Sequence, residues 1–170
     1  MDAKTVTTRD GDYGQALISR WPIRNSEVHD ISYQEREPRR VISCEIVAPV
    51  GNFRVIATHL GLSVGERRNQ AAALLRAIGD ISLPTVVMGD FNDWFWVGSV
   101  RGVLSARLQV RSRLRTFPSF CPIFRFDRIY CSAGTTLVDV RTDHEARKIS
   151  DHLPVIADID LMVAFGARKI

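Results

Sequence analysis

Apolar positions along this chain cluster in short runs, and most of the runs have the length of buried strands. TVVM, Thr85 to Met88, is bounded by Pro84 and Gly89 and reads as a buried strand that delivers Asp90 and Asn92 at its C-terminal end. VISCEIVAP and NFRVIATHL are two further strand-like runs. Val50, Gly51 and Asn52 separate them, a hairpin signal because Gly and Asn tolerate positive φ, and the second run ends at His59. One segment carries the helical period instead. Ser63 and Glu66 form an S-x-x-E capping box, Ala71, Leu74, Leu75 and Ile78 recur at helical spacing, and Gly79 is a natural stop.

The flanking regions are less patterned. The opening dozen residues are polar and read as loose chain, GQALISRWPI supplies a short strand over Ala16 to Ser19, and a charged loop follows from Ser26 to Arg39. Trp94 to Val110 has room for a short helix, and Leu114 to Phe124, with Pro118 and Pro122, reads as irregular. RFDRIYCS, LVDVRTD and HLPVIADIDL predict three strands. Strand pairs interrupted by helices indicate a layered α/β domain whose strand-end loops carry the chemistry. With no repeat, biased tract or linker, residues 1–170 read as one domain.

Composition narrows the class. With 170 residues, 45% of them hydrophobic, the chain can build a sizeable core and is not expected to be disordered. Its apolar stretches fall short of the roughly 18 to 20 residues a membrane span needs, and the N-terminus has no apolar signal-peptide core, so a soluble, cytoplasmic protein is expected. Cys44, Cys121 and Cys131 are odd in number and lack zinc-ligand spacing, so buried free thiols are the expectation. The net charge of +4 suits a phosphate-bearing partner, although such an excess is common on surfaces that bind nothing. Arg101, Arg107, Arg111, Arg113 and Arg115 lie near Trp94, Phe95 and Trp96, a set that can stack on bases or line an apolar pocket. The plainer alternative is a solvated arginine face beside core aromatics.

Two strings carry the chemistry: GDFND at 89 to 93 and SDHLPV at 150 to 155. Asp90 and Asn92 stand two apart, which in extended chain puts both side chains on one side; a simple turn is the alternative. A carboxylate there can hold Mg²⁺ or position water. Asp151 and His152 precede a strand, where one can bind metal while the other faces a phosphate. Asp127, inside the apolar run FRFDRIY, needs a partner: His152 on one reading, Arg125 or Arg128 on the other. His59 at its strand end could contact a phosphoryl oxygen or act as an acid, though a lone strand-end His is more often structural. His144 and Glu145 read as a solvated turn and His29 as loop. Together these residues point to phosphate-ester hydrolysis assisted by a hard metal ion.

In this order they resemble the endonuclease/exonuclease/phosphatase superfamily, the deoxyribonuclease-like fold. The resemblance runs through GQALISRWPI, FRVIATHLGLSVGERRNQAAALL, PTVVMGDFND, FDRIY and SDHLPVIADI, most of residues 14 to 161, with GDFND and SDHLPV as its specific elements. It implies an α/β fold, a two-layer β-sandwich flanked by helices, that uses Mg²⁺ or Mn²⁺ to hydrolyse phosphoester bonds with an activated water. By position, it makes Asp90 the residue that orients or deprotonates the water and touches the metal, helped by Asn92. It makes Asp151 a metal ligand, His152 a phosphate contact oriented by Asp127, and His59 a second phosphate-facing residue.

The chain departs from that pattern upstream of GQALISR, where family members carry a strand, a helix and a strand ending in a Gln-Glu pair whose Glu is the principal metal ligand. An N-terminally truncated domain, lacking ~30 residues or more, is therefore expected. Glu27, Glu35 and Glu37 fall in the apparent charged loop and receive no role. Two functions follow: a metal-dependent phosphodiesterase, endonuclease or phosphatase, or a catalytically impaired remnant that binds phosphate ligands, nucleic acid or a protein. A sheet edge exposed by the missing segment would invite a homodimer, or pairing with that segment itself.

Overall fold

The structure, a computed structural model, describes residues 1–94 and 100–161. Phe95 and Trp96, grouped above with Trp94, lie outside the described residues. The organising element is a six-stranded sheet built from β3 (Ile23–Asp30), β4 (Arg40–Ala48), β5 (Gly51–His59), β6 (Thr85–Asp90), β7 (Val110–Arg111) and β8 (Asp127–Cys131). Their order is β3-β4-β5-β6-β8-β7, with β5 and β6 parallel and the other neighbours antiparallel.

A parallel pair needs a crossover, and helix α1 (Val64–Ile78) supplies it. Its capping box forms as the sequence predicts, with the Ser63 hydroxyl accepting from the Glu66 amide and the Glu66 carboxylate accepting from the Ser63 amide. At the other end Arg54 of β5 donates to the carbonyls of Ala77 and Ile78, satisfying helix C-terminal acceptors from the sheet. Ala71, Leu74 and Ile78 are buried against Val41, Ile56, Val87 and Tyr130 of the sheet and Leu104 of α2 (Val100–Ser105). Both helices therefore cover one face.

The opposite face carries the second layer, two separate hairpins. β1 (Asp2–Thr8) pairs with β2 (Gly11–Ala16), and Ala3 and Leu17 pack with Ile42, Cys44 and Val55. β9 (Thr135–Thr142) pairs with β10 (Val155–Leu161), and Leu137, Val155, Ala157 and Ile159 cover Val86, Ile129 and Cys131. The fold is the expected β-sandwich with helices outside it.

Several local expectations need correction. The opening dozen residues are a hairpin, not loose chain, and the strand expected at Ala16 to Ser19 ends at Ala16. Part of the expected charged loop, including Glu27 and His29, is edge strand β3. Its mostly exposed positions give it no apolar alternation to reveal it. The β4–β5 turn is Pro49 and Val50, with Ala48 paired to Gly51, so Asn52 already lies in β5. Cys44 and Cys131 are buried, but Cys121 is exposed. His144 belongs to a short exposed 3₁₀ helix, His144–Lys148. Among the described residues no helix is long and apolar enough to cross a membrane.

Candidate active site

Strand register builds the site. His59 closes β5 opposite Asp90, which closes β6, and Asp90 in turn faces Asp127, the first residue of β8. Three neighbouring strands thus bring one functional side chain each to the same end of the sheet. Gly89 permits this close approach: its φ is 148°, and a Cβ there would lie 1.8 Å from the Thr58 carbonyl oxygen.

His152 arrives from outside the central sheet. Its segment is fixed by three bonds: the Ser119 amide to the Asp151 carbonyl at 2.7 Å, the Ser119 hydroxyl to the Ser150 carbonyl at 2.7 Å, and the Leu153 amide to the Thr116 carbonyl at 2.8 Å. Phe117 and Phe126 pack beside the ring, with centroids 4.8 and 6.1 Å away. Held there, His152 Nδ1 lies 2.7 Å from Asp127 Oδ2, while its Nε2 is 3.9 Å from Asp90 Oδ2. Arg125 and Arg128, the other partners considered for Asp127, instead donate through Nε to the carbonyls of Arg113 and Arg125.

Asn92 reaches the site by a different geometry from the one expected. Its φ is 46°, so the two-residue alternation of extended chain does not apply. The Asn92 amide donates to Asp90 Oδ1 at 2.8 Å, a turn of the Asx kind, and the side-chain Nδ2 donates to the Leu60 carbonyl at 2.9 Å. Nδ2 also stands 3.3 Å from His59 Nε2. His59 Nε2 is also 3.4 Å from Asp90 Oδ2, so the ring stands between the Asn92 amide and the Asp90 carboxylate.

Asp90, Asn92, Asp127, Asp151, His152 and His59 line one cavity of about 520 Å³, shared with Arg39 and Trp94. Sequence reasoning missed Arg39. Its side chain is only 8% exposed, ion-paired to Glu37 at 3.0 Å, and its Nε has no hydrogen-bond partner. The hairpin register carried the signal: Val41 pairs with Thr58, so a residue just before β4 must emerge beside His59.

Electrostatics divides the groups. Burial, reinforced by the nearby Asp127 carboxylate, pushes Asp90 up to about 6, against the Asn92 amide, His152 and Arg39. Burial and then the charges of Arg39 and His152 push His59 down to about 4. His152 is raised, first by its hydrogen bond to Asp127. At neutral pH His59 is therefore neutral, while His152 is biased toward the imidazolium. A neutral His59 does not suit the acid role considered for it.

The raised pKa of Asp90 has a consequence for stability. Between about pH 4 and 6 the native state holds a proton that the unfolded chain has released, so this group's contribution to stability falls as pH rises through that window. Asp90→Asn removes the effect. In chelator-treated protein, denaturant titration is expected to find the variant gaining on the wild type, on the order of 2 kcal/mol, as pH moves from 4 to 7. An unchanged difference would mean that Asp90 ionises as it does in water.

Ligand atoms of Asp90, Asp127 and His152 all lie within 4.8 Å of one another, a group that could hold a metal ion. Two crowded carboxylates, one partly buried with a raised pKa, fit a divalent cation, whose charge would offset their repulsion. Asp151, expected as a ligand, lines the cavity but stands outside this group, and among the described residues no glutamate lines the cavity.

A sandwich with acidic and imidazole groups gathered at the strand ends defines a class. The chain belongs to the endonuclease/exonuclease/phosphatase family, whose model matches residues 3–152. Among curated proteins it is 34% identical over 172 residues to the uncharacterized protein YbhP of Escherichia coli, covering 89% of this chain. It spans only 64% of that relative's length. An endonuclease/exonuclease/phosphatase from Bacteroides vulgatus has a similar structure, with TM-score 0.75 and 18% identity over 95% of this chain and 75% of that one. The mannosyl-6-phosphatase Bt3783 of Bacteroides thetaiotaomicron aligns with TM-score 0.61 and 16% identity, over 82% of this chain and 67% of that one.

Proposed function

We propose that this protein is a divalent-metal-dependent phosphoesterase whose centre is Asp90, Asn92, Asp127 and His152. The observation that carries the reading is the 2.7 Å bond between His152 and Asp127 set beside the carboxylate of Asp90. Asp90, with its Oδ1 fixed by the Asn92 amide, keeps Oδ2 for the attacking water, which it orients and deprotonates. Asp127 holds the proton of His152 on Nδ1, leaving Nε2–H to donate to a phosphoryl oxygen. Mg²⁺ or Mn²⁺, held by the carboxylate of Asp90 with Asp151 nearby, would supply Lewis-acid charge to the phosphoryl group. His59, kept neutral, braces Asn92.

Arg39 belongs to the same reading as a phosphate contact, because its buried side chain lines the cavity and its Nε–H has no hydrogen-bond partner. Arg39→Met is expected to lower kcat/KM by about 10- to 100-fold, the worth of a charge-assisted hydrogen bond. Steady-state rates with a generic monoester would check it. A change under twofold would remove Arg39 from the site.

A binding module is the second reading, favoured by the lack of a glutamate among the described residues that line the cavity. Mn²⁺ titration followed by water-proton relaxation, paired with hydrolysis assays before and after chelation, separates the two. The enzyme reading predicts Mn²⁺ binding that Asp90→Asn weakens and a rate that disappears on chelation. A rate indifferent to chelator contradicts it.

A further inference from the structure

A second cavity, of about 300 Å³, adjoins the first across Trp94, which lines both. Five arginines line it, Arg101, Arg111, Arg113, Arg125 and Arg128, and among the described residues Asp93 is the one carboxylate in its lining. They come from different parts of the fold: Arg101 from α2, Arg111 from β7, Arg128 from β8, and Arg113 and Arg125 from the loops beside these strands. The solvated arginine face considered from sequence holds in part: Arg107, Arg113 and Arg115 are exposed, while Arg101 and Arg111 are half-buried. Arg107, which donates to the Gly79 carbonyl, and Arg115 are absent from the lining, so only part of that arginine run is recruited.

Several of these arginines are held in place. Arg111 donates to the Ser105 hydroxyl at 3.0 Å, and Arg125 and Arg128 donate to backbone carbonyls at 2.8 and 2.7 Å. The compensation from Asp93 is loose, 3.8 Å from Arg128, and the other oxygen of Asp93 is buried without a hydrogen-bond partner. Burial, then Arg113, and more weakly Arg101 and Arg128, lowers the pKa of Arg111. Like charges gathered inside one Debye length repel, and a bound anion is the direct way to offset that repulsion.

Resting on the phosphoesterase reading, we propose that the basic cavity binds a second phosphate group of the substrate, so that the preferred substrates are small soluble molecules carrying two phosphates. Trp94 lines both cavities, which places the basic one beside the reacting centre for a single small molecule. A cavity of about 300 Å³ lined from several parts of the fold, rather than a basic track along the surface, suits a compact bisphosphate better than an extended nucleic-acid backbone. Trp94 and Phe124 add an apolar wall suited to the carbon skeleton between the phosphates.

The test is calorimetric binding of fructose 1,6-bisphosphate and fructose 6-phosphate in chelator, for the wild type, Arg113→Gln and the Arg111→Gln/Arg113→Gln double variant. Arg113 is exposed, so its single variant tests the cavity without threatening the fold. The wild type is expected to bind the bisphosphate at least tenfold more tightly. Both variants should lose most of that preference while changing monophosphate affinity less than threefold. No preference in the wild type, or a preference that survives in both variants, overturns the proposal. So does a single-stranded oligonucleotide that binds more tightly than the bisphosphate and weakens equally in the variants. Wild-type turnover of p-nitrophenyl phosphate reports separately on the phosphoesterase reading, so either can fail alone.

Discussion

Asp90→Asn is expected to lower kcat for metal-dependent phosphoester hydrolysis by about 10³-fold or more, because one carboxylate serves both the water and the cation. The substitution is nearly isosteric, and asparagine can still accept the Asn92 amide bond that shapes the turn. Loss of activity should thus come with a fold that is unharmed. The same variant is expected to gain stability at neutral pH, since burial holds the wild-type carboxyl up to about 6. A merely structural aspartate would move both properties downward together. Measuring kcat at saturating Mg²⁺ beside a denaturation curve distinguishes the cases, and a fall in kcat below tenfold would take Asp90 away from the reacting centre.

His152→Ala is the second large effect, a loss of about 10²- to 10⁴-fold in kcat. Asp127 acts through His152, so Asp127→Asn should cost less, and adding it to His152→Ala should cost almost nothing more. The pH profile carries the same logic. His152 is raised chiefly by its bond to Asp127, so the active imidazolium is present at low pH and is lost as pH rises through that raised pKa. Asp127→Asn removes the main cause, and the alkaline limb of kcat should move to lower pH. Additive losses with an unmoved limb would mean that the two residues act independently.

What could be read in the sequence was set by how local the governing interaction is. Helix α1 was legible because its cap, its spacing and its stop are neighbours in the chain. β6 was legible because Val86, Val87 and Met88, an apolar run, sit between Pro84 and Gly89. β1 and β3 were not, because each is stabilised by pairing rather than by an apolar face, and Ala3 alone of β1 is buried. At the site, the residue types were visible but their meeting was not. His59, Asp90 and Asp127 face each other through register, which depends on contacts between distant segments. Alternation misjudged Asn92, whose positive φ follows from the Asx turn that Asp90 makes. Arg39 was passed over because a charge in an apparent loop looks solvated until the hairpin beside it is aligned.

The most direct measurement is the initial rate of bis(p-nitrophenyl) phosphate and p-nitrophenyl phosphate hydrolysis across a Mg²⁺ titration, for the wild type beside the Asp90→Asn/His152→Ala double variant. A shared centre predicts a wild-type rate on at least one substrate that rises to saturation with Mg²⁺, vanishes with chelator, and exceeds the variant by about 10³-fold or more. Rates equal in the two proteins at every Mg²⁺ concentration would contradict it.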